Sequence, residues 1–128
     1  MKHMMIEWQH LEVEGRTCGP CEKTKENILV AITELKSEFE GNIRLEFIDT
    51  PLTEKDIKDS NRVLLNGIPL EDIYNLEVKE APCVTCSDLV GREVCCRILV
   101  RENTETEEVP VEWIKEGVYL AIGERPSA

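Results

Sequence analysis

The sequence predicts an α/β domain: a central mixed sheet of about four strands flanked by helices, with a cysteine-containing insertion before the last core strand. Three observations carry this expectation. A strand, helix, strand pattern runs from Met5 to Ile48, a short apolar run at Val63-Leu64-Leu65 is closed by Asn66-Gly67, and an amphipathic segment follows Pro110. With 128 residues the chain suits a single domain, 1–128, whose core needs no crosslinks.

The first strand is read from Met5 to Val13, a stretch rich in β-branched and aromatic residues, and Glu14-Gly15-Arg16 supplies a short loop. From Glu22 to Glu40 the apolar residues Ile28, Leu29, Ile32, Leu35 and Phe39 share one helical face, and Gly41-Asn42 stops the helix. Ile43 to Ile48 alternates as a second strand with Ile43, Leu45 and Phe47 inward, so the unit is βαβ with a parallel sheet. Asp49-Thr50-Pro51-Leu52 reads as a loop, and Thr53 as the cap of a short helix through Ser60.

Val63-Leu64-Leu65 makes the third strand, and Asn66-Gly67 is a turn signal. Because Glu71 to Leu76 looks helical, the fourth strand is expected late, at Val94 to Val100, which leaves an insertion over about residues 71–93. Arg101 to Glu108 suits a hairpin or exposed loop. Pro110 opens a last helix in which Ile114, Val118, Ala121 and Ile122 share a face; Gly117 weakens it, and residues 124–128 form a frayed tail.

Chemistry concentrates in Thr17-Cys18-Gly19-Pro20-Cys21, where the first strand gives way to the long helix. Unpaired N–H groups at a helix start favour an anion, and the thiolate is the form that attacks disulfides and binds soft metals. Cys18 is therefore the expected reactive sulfur, and Cys21, one turn in, the shielded one that resolves a mixed disulfide. Pro20 loses nothing by lacking an N–H in the first turn, and Gly19 lets the backbone pass tightly between the sulfurs. A structural disulfide or half of a zinc site are the competing readings of the same spacing.

Cys18-Gly19-Pro20-Cys21 is identical to the active-site tetrapeptide of thioredoxins, and its place between a first strand and a long helix resembles the thioredoxin-like superfamily. From about Ile6 to Ile122 the chain also looks like an uncharacterised prokaryotic family of small thioredoxin-like proteins. The resemblance implies a nucleophilic Cys18, a resolving Cys21 and, at Glu12, six residues before Cys18, a carboxylate that assists proton transfer. Thr17 stands where thioredoxins carry tryptophan, and Ser60-Asn61 where they carry a cis-proline before the third strand.

A second set of thiols lies in and just after the insertion, at Cys83-Val84-Thr85-Cys86 and Cys95-Cys96. Cys83 and Cys86 have zinc-ligand spacing and equally suit a disulfide or relay pair serving the first thiols. On a strand, Cys95 and Cys96 point to opposite faces, so Cys96 joins Ile98 and Val100 inward and only one of the two is easily a ligand. His10 reads as a structural histidine within the first strand.

The formal charge of −11 opposes nucleic acid and anionic membranes as partners. Nothing approaches the roughly 20 apolar residues of a membrane span, and Met1 to Met5 lacks the character of a signal peptide. A cytoplasmic location is expected, where six cysteines suggest catalysis, redox sensing or metal binding before structural disulfides. The expected activity is thiol-disulfide exchange with a protein or small-molecule disulfide as substrate and a separate reductant. No cofactor is required for it; zinc belongs to the competing, metal-binding reading.

Overall fold

A 20-residue helix, α1 (Gly19–Glu38), joins two strands, β1 (Lys2–Leu11) and β2 (Ile43–Leu52), that pair in parallel from Lys2 opposite Ile43 to Leu11 opposite Leu52. The computed structural model describes residues 2–17, 19–53, 55–56, 61–74, 76–82, 91 and 95–123. β3 (Arg62–Leu65) runs antiparallel to β1, and β4 (Ile68–Pro69) antiparallel to β3, so the first sheet has the order β2-β1-β3-β4. A short helix, α2 (Leu70–Tyr74), leads to a second, antiparallel sheet of β5 (Glu77–Pro82), β6 (Cys95–Arg101) and β7 (Thr104–Thr106), and α3 (Val111–Ile122) closes the chain.

The alternation of β1 puts Met4, Ile6, Trp8 and His10 on the buried face and leaves Met5 exposed. Against that face α1 lays Cys21, Thr24, Ile28, Ala31 and Leu35, all at most 1% exposed and spaced alternately three and four residues apart. The expected face of α1 needs one correction: Leu29 points to solvent, and the seam reaches forward to Cys21 and Thr24 instead. Phe39, expected inside the helix, is buried one residue beyond its end. In α3, Ile114 and Val118 enter the same core as expected, whereas Ala121 is exposed.

The mixed four-stranded sheet is present, but its fourth strand lies elsewhere than the sequence suggested. Asn66 and Gly67 both have positive φ, 50° and 83°, the geometry of a two-residue hairpin turn, and β4 follows at once. Asn66 also ties the turn to β1: its Oδ1 accepts from Met5 N–H at 2.8 Å and its N–H donates to Met5 O at 2.9 Å. The strand expected at Val94 to Val100 is described from Cys95 and belongs to the second sheet, and residues 77–82 within the expected insertion form its partner β5. Residues 49–52, expected as a loop, extend β2. Pro51 is tolerated there because β2 is the edge of its sheet.

Of the expected helix from Thr53 to Ser60, residues 53 and 55–56 are described, as one turn in which Asp56 N–H donates to Thr53 O; Glu54 and residues 57–60 lie outside the described residues, as does the tail 124–128. Between β6 and β7 the expected hairpin forms, with Glu102 and Asn103 at positive φ.

The two sheets are joined by a half-buried carboxylate. Glu71 on α2 meets Arg97 of β6 and, at 3.5 Å, Nε of Arg62 at the start of β3. Leu76, Leu99 and Val109 extend the common core across the same junction. Where α1 and α3 pack, Lys115 meets Glu34 at 2.9 Å and also Glu38, and Tyr119 donates its hydroxyl to Glu38. Gly117 sits where α3 closes on α2 and β3: a Cβ there would overlap Leu70 and crowd Leu65.

Candidate functional site

The carboxyl ends of two parallel strands and the first turn of the crossover helix converge on one corner of the first sheet, a position where open α/β sheets place their ligands. The chain reaches α1 through a tight turn. Glu14 (φ 51°) and Gly15 (φ 78°) let Val13 and Arg16 exchange two backbone hydrogen bonds, of 2.8 and 3.0 Å. Thr17 then brings the chain back against the end of β1, its hydroxyl donating to Leu11 O at 2.6 Å.

Gly19 and Pro20 open α1, and Cys21 is 1% exposed in its first turn, packed in the core with Trp8, Leu11 and Ile28. Cys18, expected as the attacking sulfur, lies outside the described residues, as do Cys83 and Cys86. Cys95 and Cys96 are placed by backbone alone: they begin β6 opposite Pro82 and Ala81. Glu12 is exposed, so it lacks the burial on which a proton-transfer role like that of the thioredoxin carboxylate would draw.

A polar layer underlies this corner that the sequence did not disclose as such. His10 is 3% exposed and stacks on Trp8 with ring centroids 3.6 Å apart and planes within 9°. Its Nε2 lies 2.5 Å from Asp49 Oδ1, on the stretch of β2 expected as loop, and its Nδ1 lies 3.3 Å from Thr17 Oγ1. The Trp8 indole N–H donates to Asn61 Oδ1 at 3.2 Å, and Asn61 Nδ2 donates to Glu107 O at 2.5 Å. Asn61 takes a left-handed backbone (φ 65°), a conformation that asparagine adopts more readily than most side chains. Thr24 and Asn27 of α1 fix the segment after β7, accepting from Val109 N–H at 3.0 Å and donating to Val109 O at 2.9 Å.

His10 was readable as structural from its strand, and burial agrees with that. Its two partners are 39 and 7 residues away in sequence, so nothing local announced them. The available signal was the alternation Met4, Ile6, Trp8, His10, which places an imidazole in line with three core residues and demands partners for both ring nitrogens.

Among the described residues, no group of three or more histidine, cysteine, aspartate or glutamate side chains is arranged to hold a metal ion. None of their helices is long and apolar enough to cross a membrane.

A family model described as a domain of unknown function, DUF2703, matches residues 4–117, and the chain belongs to that family. A protein of Archaeoglobus fulgidus, described only as an uncharacterized protein, is 33% identical over 108 residues, which cover 80% of this chain and 76% of the relative. No solved structure matches.

Proposed function

We propose that this member of the DUF2703 family is a thiol-disulfide oxidoreductase of thioredoxin-like fold that works through Cys18 and Cys21. The observation that carries the proposal is Cys21, fully buried in the first turn of a helix that starts beside the carboxyl end of the central parallel strand. A resolving thiol needs that seclusion, since an accessible second sulfur would itself react with bulk disulfides. The order β2-β1-β3-β4, with β1 and β2 parallel and β3 antiparallel to β1, supports the thioredoxin-like reading of the fold.

In the proposed cycle the Cys18 thiolate attacks one sulfur of a substrate disulfide, and the other leaves as a thiolate that takes up a proton. Cys21, deprotonated in turn, attacks Cys18 and frees the second substrate thiol. Two electrons pass to the substrate and a Cys18–Cys21 disulfide remains. A dithiol reductant, of the kind a reducing cytoplasm supplies, regenerates the pair. Thr17 before α1 and Gly19 and Pro20 in its first turn flank Cys18 in the chain.

The test is reduction of an aromatic disulfide driven by a dithiol reductant. Wild type should accelerate it and Cys18→Ser should reduce the rate to that of the reductant alone; equal rates for the two proteins would refute the proposal.

The register of the second sheet favours one further reading. Cys83 follows Pro82 in the chain, and Pro82 lies opposite Cys95, so the hairpin brings the strand end that leads to Cys83 and Cys86 beside Cys95 and Cys96. Cys83 and Cys86, following that strand end in the chain, would suit a relay dithiol or, with Cys95 or Cys96, a soft-metal site such as zinc. Elemental analysis of the reduced protein, with Cys83→Ser as control, decides between them: stoichiometric metal lost in the variant supports the metal site.

A further inference from the structure

β2 is the edge of the first sheet, and among the described residues no strand lies beyond it. Lys2 N–H donates to Asn42 O and Glu12 N–H to Leu52 O, so the even-numbered residues of β2 turn their backbone groups towards β1. Ile43, Leu45, Phe47 and Asp49 therefore aim theirs outward, a template on which another strand can pair. Pro51 falls in the same outward set, where its missing N–H leaves the ladder to β1 intact.

We propose that two copies of this chain join edge to edge through β2, antiparallel about a twofold axis at Leu45, with the two α1 helices side by side across it. The proposal concerns assembly and stands whether or not the thiols reduce disulfides.

Charge ordinarily blunts an edge strand against pairing. On β2 the charges instead match one partner, an antiparallel copy of the same strand. With Leu45 opposite the second copy's Leu45, Arg44 lies opposite Glu46 in both directions and Ile43 opposite Phe47. Moving the centre by one residue sets Arg44 against Arg44 or Glu46 against Glu46. The matched pairing runs from Ile43 to Phe47 and ends short of Pro51. Opposed residues are both odd or both even, so the two sheets join as one with their helices on the same side. Within its own chain Glu46 Oε1 meets Arg44 and His3 at 3.4 Å each, exposed bridges of small worth that exchange readily for the cross-strand pair.

The helix layer fits the same partner. α1 lies on β1 and β2, and its Glu34 and Glu38 face α3. With about 3.6 residues per turn, Leu29 and Ile32 fall on the opposite flank, above the open edge of β2. Leu29 is 46% exposed there, and Ile32, like Leu45 and Phe47, is only partly buried. Lys36 shares the flank and is exposed, its flexible stem able to keep the ammonium in solvent. Strands lie about 4.8 Å apart, so a helix seated over β1 and β2 is about 5 Å from the axis and about 10 Å from its copy, the spacing at which helices pack. Strand pairing alone is a narrow contact, and the helix flanks widen it towards the roughly 1,200 Å² that a specific interface buries.

The test is the mass of the full chain in solution by sedimentation, kept reduced so that no intermolecular disulfide contributes. Wild type should sediment at twice the mass of one chain. Arg44→Glu, which sets a carboxylate against the second copy's Glu46, and Leu29→Lys should each weaken association by about tenfold or more. Both positions are exposed, so the fold is spared. Arg44→Glu combined with Glu46→Arg exchanges the two charges and should restore association. A monomeric wild type overturns the proposal, as does a dimer indifferent to both single substitutions, and failure of the exchanged pair to restore it overturns the register.

Amide exchange read residue by residue gives the second readout. The N–H groups of Ile43, Leu45 and Phe47 should be protected in the dimer and lose protection on dilution and in Arg44→Glu, while Glu46 N–H, bonded to β1, stays protected throughout. Fast exchange at Leu45 in a dimeric wild type places the interface elsewhere and overturns the proposal.

Discussion

At the C-terminal end of α1, Lys115 meets both Glu34 and Glu38 and Tyr119 bonds Glu38; at its N-terminal end, His10 meets Asp49 and Thr17 beside the buried Cys21. Both clusters put ionisable groups against the core. In the first, each charge faces an opposite charge or a hydroxyl donor, and the arrangement has one way of being satisfied. In the second, the Thr17 hydroxyl donates to Leu11 O and lies beside His10 Nδ1, and the imidazole is held between Thr17 and Asp49. The first is a clasp between helices, and the second ties the entry of α1 to the ends of β1 and β2.

Electrostatics sharpen the contrast. Hydrogen bonding to Glu38 raises the Lys115 ammonium well above its usual range despite the opposing effect of burial, and burial together with the bond to Glu38 pushes Tyr119 up to about 12. Burial alone would raise Glu38, but the bonds from Lys115 and Tyr119 outweigh it and hold the carboxyl low. All three shifts lock the charged pair and the neutral phenol in place at neutral pH.

Four changes test this comparison, from the largest expected effect to the smallest. Asn61→Ala, at the site end, strips the acceptor from the Trp8 indole and the donor to Glu107 O and puts alanine at positive φ; it should lower unfolding free energy by about 2–3 kcal/mol in denaturant titrations. Asn61→Gly should recover only the backbone part.

Lys115→Met, at the clasp, should cost about 1–3 kcal/mol through the carboxylates left behind, yet leave the thiol reaction rate unchanged. A fall in thiol reactivity in that variant would break the distinction between the two ends.

Gly117→Ala tests the packing beside the clasp. Overpacking buried Leu70 should cost up to about 3 kcal/mol against about 1 kcal/mol gained in helix propensity, a net loss of up to about 2 kcal/mol read as a lower melting temperature.

The smallest effect is the alkaline limb. Tyr119 has a folded value above its unfolded one, so its contribution is complete below about pH 10, the unfolded phenol range, and fades as pH rises through about 12. Lys115, also raised, fades in the same direction. Tyr119→Phe should therefore be less stable at neutral pH and show a flatter alkaline decline than wild type.

Which features were legible follows from how local their causes are. The βαβ unit, the Asn66-Gly67 turn, the short α2 and the terminal helix each announce themselves by periodicity or turn chemistry within a few residues. β4 is two residues long and offers no period to read, and β5 begins Glu-Val-Lys-Glu, four exposed residues whose charges imitate a loop. Pro51 concealed the end of β2 because a proline says edge strand or loop with equal force until the strand order is known.

At the candidate site the cysteine spacing was visible, but the partners of His10 were not. Thr17 and Asn61 both serve this layer: one meets His10, the other the indole on which His10 stacks.

The most direct measurement is the fate of Cys21→Ser when mixed with a disulfide substrate. Without its resolving partner, Cys18 should accumulate as a stable one-to-one mixed disulfide, detected by mass on the peptide containing Cys18 and released by added dithiol. An unmodified Cys18, or an adduct carried by Cys83 or Cys86 in its place, would contradict the assignment of that sulfur as the nucleophile.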